Sequence, residues 1–271
     1  MSQQHTLSQA ATAHAPEAWR GTVFLLERHS LYLGAAAETS LHASHEVKVC
    51  VALRGSFRLR TGHDARWLTC QAAIIPPGQL HQLDGRGAQL SLFYFPPEIH
   101  RAQRVVYSGR PAHPVPPELL ARFAPRLRRY LDDGCDTGEA AEICLSFTDE
   151  LIAATGSRVF LDGRIAETLA SFQAAPDHLF TAAQISAAVA LSPGRLAHLF
   201  RAQIGMPVRE YLLYRRLRRA VLRMAGADSL TQAAHEAGFA DSSHLSRTFR
   251  RTVGLAPSSL TRNSRFFRVG T

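Results

Sequence analysis

Two regimes of hydrophobic spacing divide the chain. From Thr22 to Phe95 apolar and polar positions alternate in short runs: Val47, Val49, Val51 and Leu53 are interleaved with Lys48, Cys50, Ala52 and Arg54, the period-two signature of strands. Gly55 separates this run from a second strand over Phe57–Arg60, and Thr61-Gly62-His63-Asp64 reads as a turn. Ala73–Ile75 stops at Pro76-Pro77-Gly78, and Ala88–Phe95 alternates again as far as Pro96-Pro97. Proline cannot donate to a ladder, so each pair closes its strand. The prediction for this half is a small antiparallel sandwich or barrel able to enclose a small molecule.

Past the proline-rich connector Pro111–Pro117 the period lengthens. Leu119, Leu120, Phe123, Leu127 and Tyr130/Leu131 mark a helix over 118–131 that Pro125 should kink or shift; Ala140, Ile143, Cys144, Phe147 and Leu151 mark another over 138–154. Both stripes must be buried, over the mouth of the barrel or against a second subunit, and the pattern does not choose. Gly156-Ser157 reads as a flexible joint. A leading helix over 162–174 carries Ile165, Leu169 and Phe172 and ends near Pro176.

One pattern then appears twice. Leu196, Phe200, Arg201 and Gly205 recur 49 residues later as Leu245, Phe249, Arg250 and Gly254. Each set lies on a helix preceded by an Ala-rich helix and a short turn, which predicts two helix-turn-helix units. The first runs as helix 181–190, a turn at Leu191-Ser192, and helix 193–204 capped by Ser192 with Pro193 at its first position. The second starts at Ser229, turns at Gly238 and resumes at 242 behind Asp241 or Ser242 as cap. A basic helix from Val208 to about Ala225, with Leu213, Leu217, Ala220, Val221 and Met224 as its stripe, joins them. Such a joint would hold two recognition helices about one turn of B-DNA, roughly 34 Å, apart.

Charge sharpens this picture. From Asp177 to Thr271 there are fourteen arginines against five acids, which is the whole net charge of +9; the preceding 176 residues balance seventeen bases with seventeen acids. Basic charge confined to one module points to a polyanion, here double-stranded DNA. With Leu and Phe turned inward, the residues left facing base edges and phosphates are Gly194, Arg195, Ala197, His198 and Arg201 in the first unit. In the second they are Ser242, Ser243, His244, Ser246, Arg247, Arg250 and Arg251, followed by a basic tail with Arg262, Arg265 and Arg268.

The remaining composition mainly excludes. A length of 271 residues at 46% hydrophobic supports two domains with cores. No run of eighteen apolar residues exists, so no membrane partner is expected. Met1–Trp19 reads as a mobile tail of a cytoplasmic protein. Cys50, Cys70, Cys135 and Cys144 lack any CxxC pairing and are expected to be free thiols, with neither disulfide nor zinc. Catalytic triads, P-loops and dinucleotide fingerprints are absent, so no cofactor and no enzymatic activity are expected.

Two resemblances follow from these residues. Ala234-x-x-x-Gly238-Phe239-x-Asp241-x-Ser243-His244-Leu245-Ser246-Arg247-x-Phe249-Arg250-Arg251-x-x-Gly254-x-x-Pro257 resembles the signature of the AraC/XylS transcription regulators. Ser192-Pro193-x-x-Leu196-x-x-x-Phe200 with Gly205, Pro207, Tyr211-Leu212 and Arg216-Leu217 resembles that family's first half. Arg247 matches a family position. His198 stands where the family commonly has Arg, and Ala233 where it has Ile, so Arg195 is the expected substitute donor in a more loosely read first unit. Pro76-Pro77-Gly78-Gln79-Leu80-His81 is similar to the P-x-G-x-x-H element of cupins, but the histidines His42 and His45 are spaced H-x-x-H and the metal-binding Glu position is Lys48. A cation repels a metal ion, so no metal site is expected. On the cupin comparison Lys48 and Cys50 face the barrel interior, which makes His42, His45, Lys48, Cys50 and His81 candidates to hold an anionic effector; a surface Lys48 with satisfied histidines is the rival reading.

The whole is expected to be α+β: a tail (1–20), a cupin-like effector domain (21–110), a helical linker or dimerisation region (111–157) and an all-α DNA-binding domain (158–271). The resemblance implies a homodimeric regulator that meets a promoter or operator, a small-molecule effector and RNA polymerase. The alternatives are a metal-dependent cupin enzyme with an accessory DNA module, or an effector-independent DNA-binding dimer.

Overall fold

The alternating half folds as β1 (Arg20–Leu25), β2 (Ser30–Ala35), β3 (His42–Ala43), β4 (Val47–Arg54), β5 (Phe57–Arg60), β6 (Leu68–Cys70), β7 (Ala72–Ile75), β8 (Leu80–Asp84) and β9 (Gln89–Phe95). In this computed structural model the described residues are 18–26, 28–97, 112–154, 161–174, 182–226 and 229–268. The expectations for the tail over 1–17, Pro111, the joint at Gly156-Ser157 and the helix end near Pro176 fall outside them. One sheet runs β1-β2-β9-β4-β7 and a second runs β3-β8-β5-β6, all antiparallel.

Strand β4 is buried on both faces up to Leu53. Val47, Val49, Val51 and Leu53 join Phe93 and Phe95 in a cluster on the outer face of the sheet. Cys50 and Ala52 turn the other way and pack with Phe57, Leu59 and Leu83 between the two sheets. The outer cluster is completed by α1 (Pro117–Asp133) and α2 (Thr137–Ala154), which contribute Leu119, Phe123, Leu127, Ile143, Phe147 and Leu151. The stripes of the two helices therefore cover the outer sheet face and not the barrel mouth. Pro125 sits within α1 without ending it. Its missing N–H removes the i−4 partner of the Ala121 carbonyl, and both residues lie on the exposed side, where that group is open to solvent.

The helical half comprises α3 (Gly163–Ala174), α4 (Ala182–Ala188), α5 (Pro193–Ile204), α6 (Val208–Met224), α7 (Leu230–Glu236), α8 (Ser242–Val253) and α9 (Pro257–Thr261). It has two cores. Ile165, Phe172, Ile185, Leu196, Phe200 and Tyr211 form the first, and Leu217, Ala220, Ala234, Phe239, Leu245 and Phe249 the second. Helix α6 supplies residues to both, as the joining stripe requires. The basic tail behaves otherwise than expected: Ser264–Arg268 is a strand, β10, paired in parallel with β1 from Gly21↔Ser264 to Leu25↔Arg268. The end of the helical half thus extends the sheet of the other half, and Phe267 stacks on Phe24 with ring centroids 5.6 Å apart.

Candidate DNA-reading face and interdomain pocket

Both recognition helices are built the same way from the turn outward. Two residues past α4 and α7 the backbone is left-handed, at Ala190 (φ 52°) and Gly238 (φ 82°). The next amides reach back to Ser186 and Ala234 carbonyls at 2.9 Å in each unit, the Schellman closure. Ser192 then accepts from the Arg195 amide at 3.3 Å, and Asp241 from the His244 amide at 2.6 Å, so Asp241 is the second cap. The Asp241 carboxyl is held below the usual range mainly by that backbone bond. Leu196, Phe200, Leu245 and Phe249 are buried, which leaves Gly194, Arg195, Ala197, His198 and Arg201 exposed on α5. On α8, Ser243, Arg247, Arg250 and Arg251 are exposed, whereas Ser242, His244 and Ser246 are half-buried. His244 meets the edge of Phe239 at 5.3 Å.

The effector candidates converge only in part. His42 and His81 are directly paired across β3 and β8, and Lys48 reaches them from β4 in the opposite sheet, with Nζ 2.9 Å from each Nε2. Each imidazole Nδ1 lies 2.8 Å from a backbone carbonyl, Ser40 or Gln79. A carbonyl only accepts, so Nδ1 carries the proton in both rings and both Nε2 atoms accept from Lys48. Burial, followed by the neighbouring Lys48 charge, drives both histidines well below 6.5. Burial likewise pushes Lys48 down to about 8, against the opposing pull of Cys50 and Glu46. Cys50 shares this face, with its thiol pushed up to about 12 by burial. His45 stands apart on the cavity wall, its Nδ1 buried without a partner. Among the described residues no cluster with metal-ligand geometry occurs. Lys48 Nζ occupies the point where His42 and His81 converge.

The cavity of about 90 Å³ beside Lys48 lies between the two halves of the chain. Trp19, Tyr32, Leu92 and Tyr94 form its sheet side; Tyr214, Leu217 and Val221 of α6, Phe249 and Thr252 of α8, and Leu255 and Leu260 close it. Tyr94 is in register with Lys48 and its ring centroid is 5.4 Å from Nζ. Alternation along β9 could have pointed to Tyr94, which shares the inward face of Leu90 and Leu92. The helical lining carried no signal in the sequence, because only the docking of the two halves brings it there.

Residues 185–263 match the family described as a helix-turn-helix domain. The arabinose operon regulatory protein of Escherichia coli is 33% identical over 103 residues, 36% of this chain and 34% of that protein. A putative AraC-like transcription regulator of Streptomyces antibioticus is 32% identical over 97 residues, 35% of this chain and 32% of that one. The helical half is an AraC-type DNA-binding domain. The chain spans about a third of the length of these curated relatives. Beyond that domain, an apo variant of ToxT from Vibrio cholerae shares the fold, with a TM-score of 0.55 at 14% identity over 88% of this chain and 94% of that one. ToxT with an unsaturated fatty acid bound gives a TM-score of 0.50 at 15% identity, covering 88% and 92%.

The AraC-type domain is fastened to the sheet domain at three places. Beside the β10–β1 pairing, Arg218 of α6 donates to the carbonyls of Leu26 and His29 and to the Ser30 hydroxyl. At the third, the Gly254 carbonyl, which follows α8, accepts from the Ser40 amide at 2.8 Å and the Ser40 hydroxyl at 3.0 Å. Gly254 is left-handed (φ 82°), and a Cβ there would come within 2.4 Å of His42 Nδ1. The second recognition helix therefore ends on the histidine that Lys48 holds. Arg218 is one of four arginines in the run 215–219, indistinguishable from its neighbours by sequence.

Proposed function

We propose that the protein is a sequence-specific DNA-binding regulator of transcription whose sheet domain binds a small effector in the interdomain cavity. The observation that carries this is the AraC-type domain presenting two capped recognition helices with their arginines exposed. Arg195 and Arg201 of α5 and Arg247, Arg250 and Arg251 of α8 contact phosphates and base edges, with Ser242, Ser243, His244 and Ser246 completing the second face and Gly194, Ala197 and His198 the first. The effector has an apolar body in the cavity and a polar head at Lys48, flanked by His42 and His81; His45 belongs to the surrounding wall, and Cys50 lies behind it in the core. Support for a small-molecule ligand comes from ToxT, whose fold the chain shares and which has been seen with an unsaturated fatty acid bound. No helix among the described residues is long and apolar enough to cross a membrane. A cytoplasmic homodimer engaging RNA polymerase completes the proposal, and no catalytic role is assigned.

Selection of random double-stranded DNA by the purified protein tests this reading. Enrichment of one site with two contacted blocks about 10 base pairs apart is the expected outcome. Recovery of unselected DNA, bound through a salt-dependent charge attraction alone, would overturn it.

A further inference from the structure

We propose that Lys48 is a nucleophilic amine that holds a carbonyl effector, an aldehyde or ketone with an apolar body, as a reversible imine in the interdomain cavity. This rests on the reading of that cavity as the effector site and names the chemistry of its ligand. The chain carries 31 basic residues, and Lys48 is the only lysine among them. Arginine serves at every other basic position. An arginine cannot shed its proton, so it can neither act as an amine nucleophile nor form an imine; lysine can do both once desolvated. The one lysine lies at a position that is 2% exposed.

The surroundings bring the neutral amine closer to reach than it is in water, while the ammonium still predominates at neutral pH. Among the described residues Lys48 makes no ion pair with a carboxylate, and its polar partners are the two neutral imidazoles, each 2.9 Å away. Both partners are acceptors, as their Nδ1 bonds require. A tetrahedral amine nitrogen that is bonded to Cε and donates two hydrogens keeps one direction free. In the neutral form that direction holds the lone pair, and the cavity Lys48 lines is where an electrophile can meet it. Val23, Leu25, Leu83, Leu92, Leu217 and Val221 provide an apolar wall for the rest of the molecule.

The chemistry closes without a further reagent. The nitrogen lone pair attacks the carbonyl carbon as the C=O π pair moves to oxygen, and the nitrogen passes one proton to that oxygen. The resulting carbinolamine loses its hydroxyl group as water, the second proton coming from the same nitrogen, leaving C=N. One amine and one carbonyl give one imine and one water, and hydrolysis reverses every step. Imine formation removes the hydrogens that Lys48 donates to the two imidazoles. His42 is one of these, and it abuts Gly254 at the end of the second recognition helix. The covalent state of Lys48 is thereby felt where α8 meets the sheet domain.

The test uses the full-length wild-type protein with octanal as probe, octanoate as its acid counterpart, and cyanoborohydride to trap any imine before peptide mass mapping. Expected are one octyl group on the peptide bearing Lys48, loss of that label in Lys48→Arg, and no labelling without octanal. Lys48→Arg keeps the charge but not the nucleophile. Label confined to the chain's α-amino group, or reaching Lys48 only in denaturant, would overturn the imine. Should octanoate raise the melting temperature while octanal leaves Lys48 unmodified, the cavity would stand as an effector site and the imine would fall. Failure of the DNA-binding reading is registered separately, by the DNA selection described above.

Discussion

At the scale of single residues the two reading faces are unequal. His198 is exposed on α5, and a neutral imidazole lacks the forked donors that pair with guanine. His198→Arg is expected to improve discrimination in the first half of the site by about 1–3 kcal/mol, measured by competition binding against half-site variants; no change would mean that α5 does not read bases there. Lys48→Met should abolish the melting shift of any effector that raises the wild-type melting temperature, and an undiminished shift would detach the effector from Lys48. Burial lowers His29 to about 4, His42 to about 2, and His45 and His81 below 6.5. The unfolded chain therefore takes up protons that the folded chain refuses as pH falls through 6.5. Stability is predicted to be full above that value and to decline from it towards about 4, checked by melting curves at pH 7 and pH 5; identical curves would contradict the burial of these rings. The outward faces of α5 and α8 were legible because a 3.6-residue period fixes which side is wet. His81 and Lys48 were legible one at a time, through a motif and an alternation. Their meeting was not, since it depends on the packing of β4 across from β3 and β8.

Among the elements, the two turns offer an internal comparison. Ala190 and Gly238 adopt the same left-handed conformation in equivalent turns, but only glycine does so without a Cβ penalty of about 1–2 kcal/mol. After allowance for the extra flexibility of glycine in the unfolded chain, Ala190→Gly should be neutral or stabilising by up to about 1 kcal/mol, read from denaturant midpoints; marked destabilisation would refute the equivalence of the two turns. Helix ends at Ser192 and Asp241 were legible because caps have local chemistry. The persistence of α1 through Pro125 was not, since it depends on which side of the helix the unpaired carbonyl faces. The strand character of Ser264–Arg268 was also hidden: an Arg- and Phe-containing segment of five residues acquires its structure from the β1 edge it joins.

For the whole molecule, the three attachments make the AraC-type domain and the sheet domain one mechanical system around the cavity. Truncation after Asn263 removes β10 and turns β1 into a bare edge. Faster amide exchange is predicted in β1, with protection of the helical cores retained; unchanged β1 exchange would show that β10 is not seated on it. The division into a strand-rich and a helix-rich half was legible from period alone, whereas the place where the halves meet was not, because an arginine such as Arg218 within a basic run and a tail phenylalanine such as Phe267 give no sign of their partners in advance. The central claim is that this protein reads a DNA sequence through its paired recognition helices. Gel-shift titration of wild-type and Arg247→Ala protein on the selected site and on a scrambled duplex tests it most directly. The account predicts that wild type prefers the site and that Arg247→Ala loses about 1–3 kcal/mol of that preference while binding to the scrambled duplex weakens far less. An unchanged ratio of the two affinities in Arg247→Ala would contradict it.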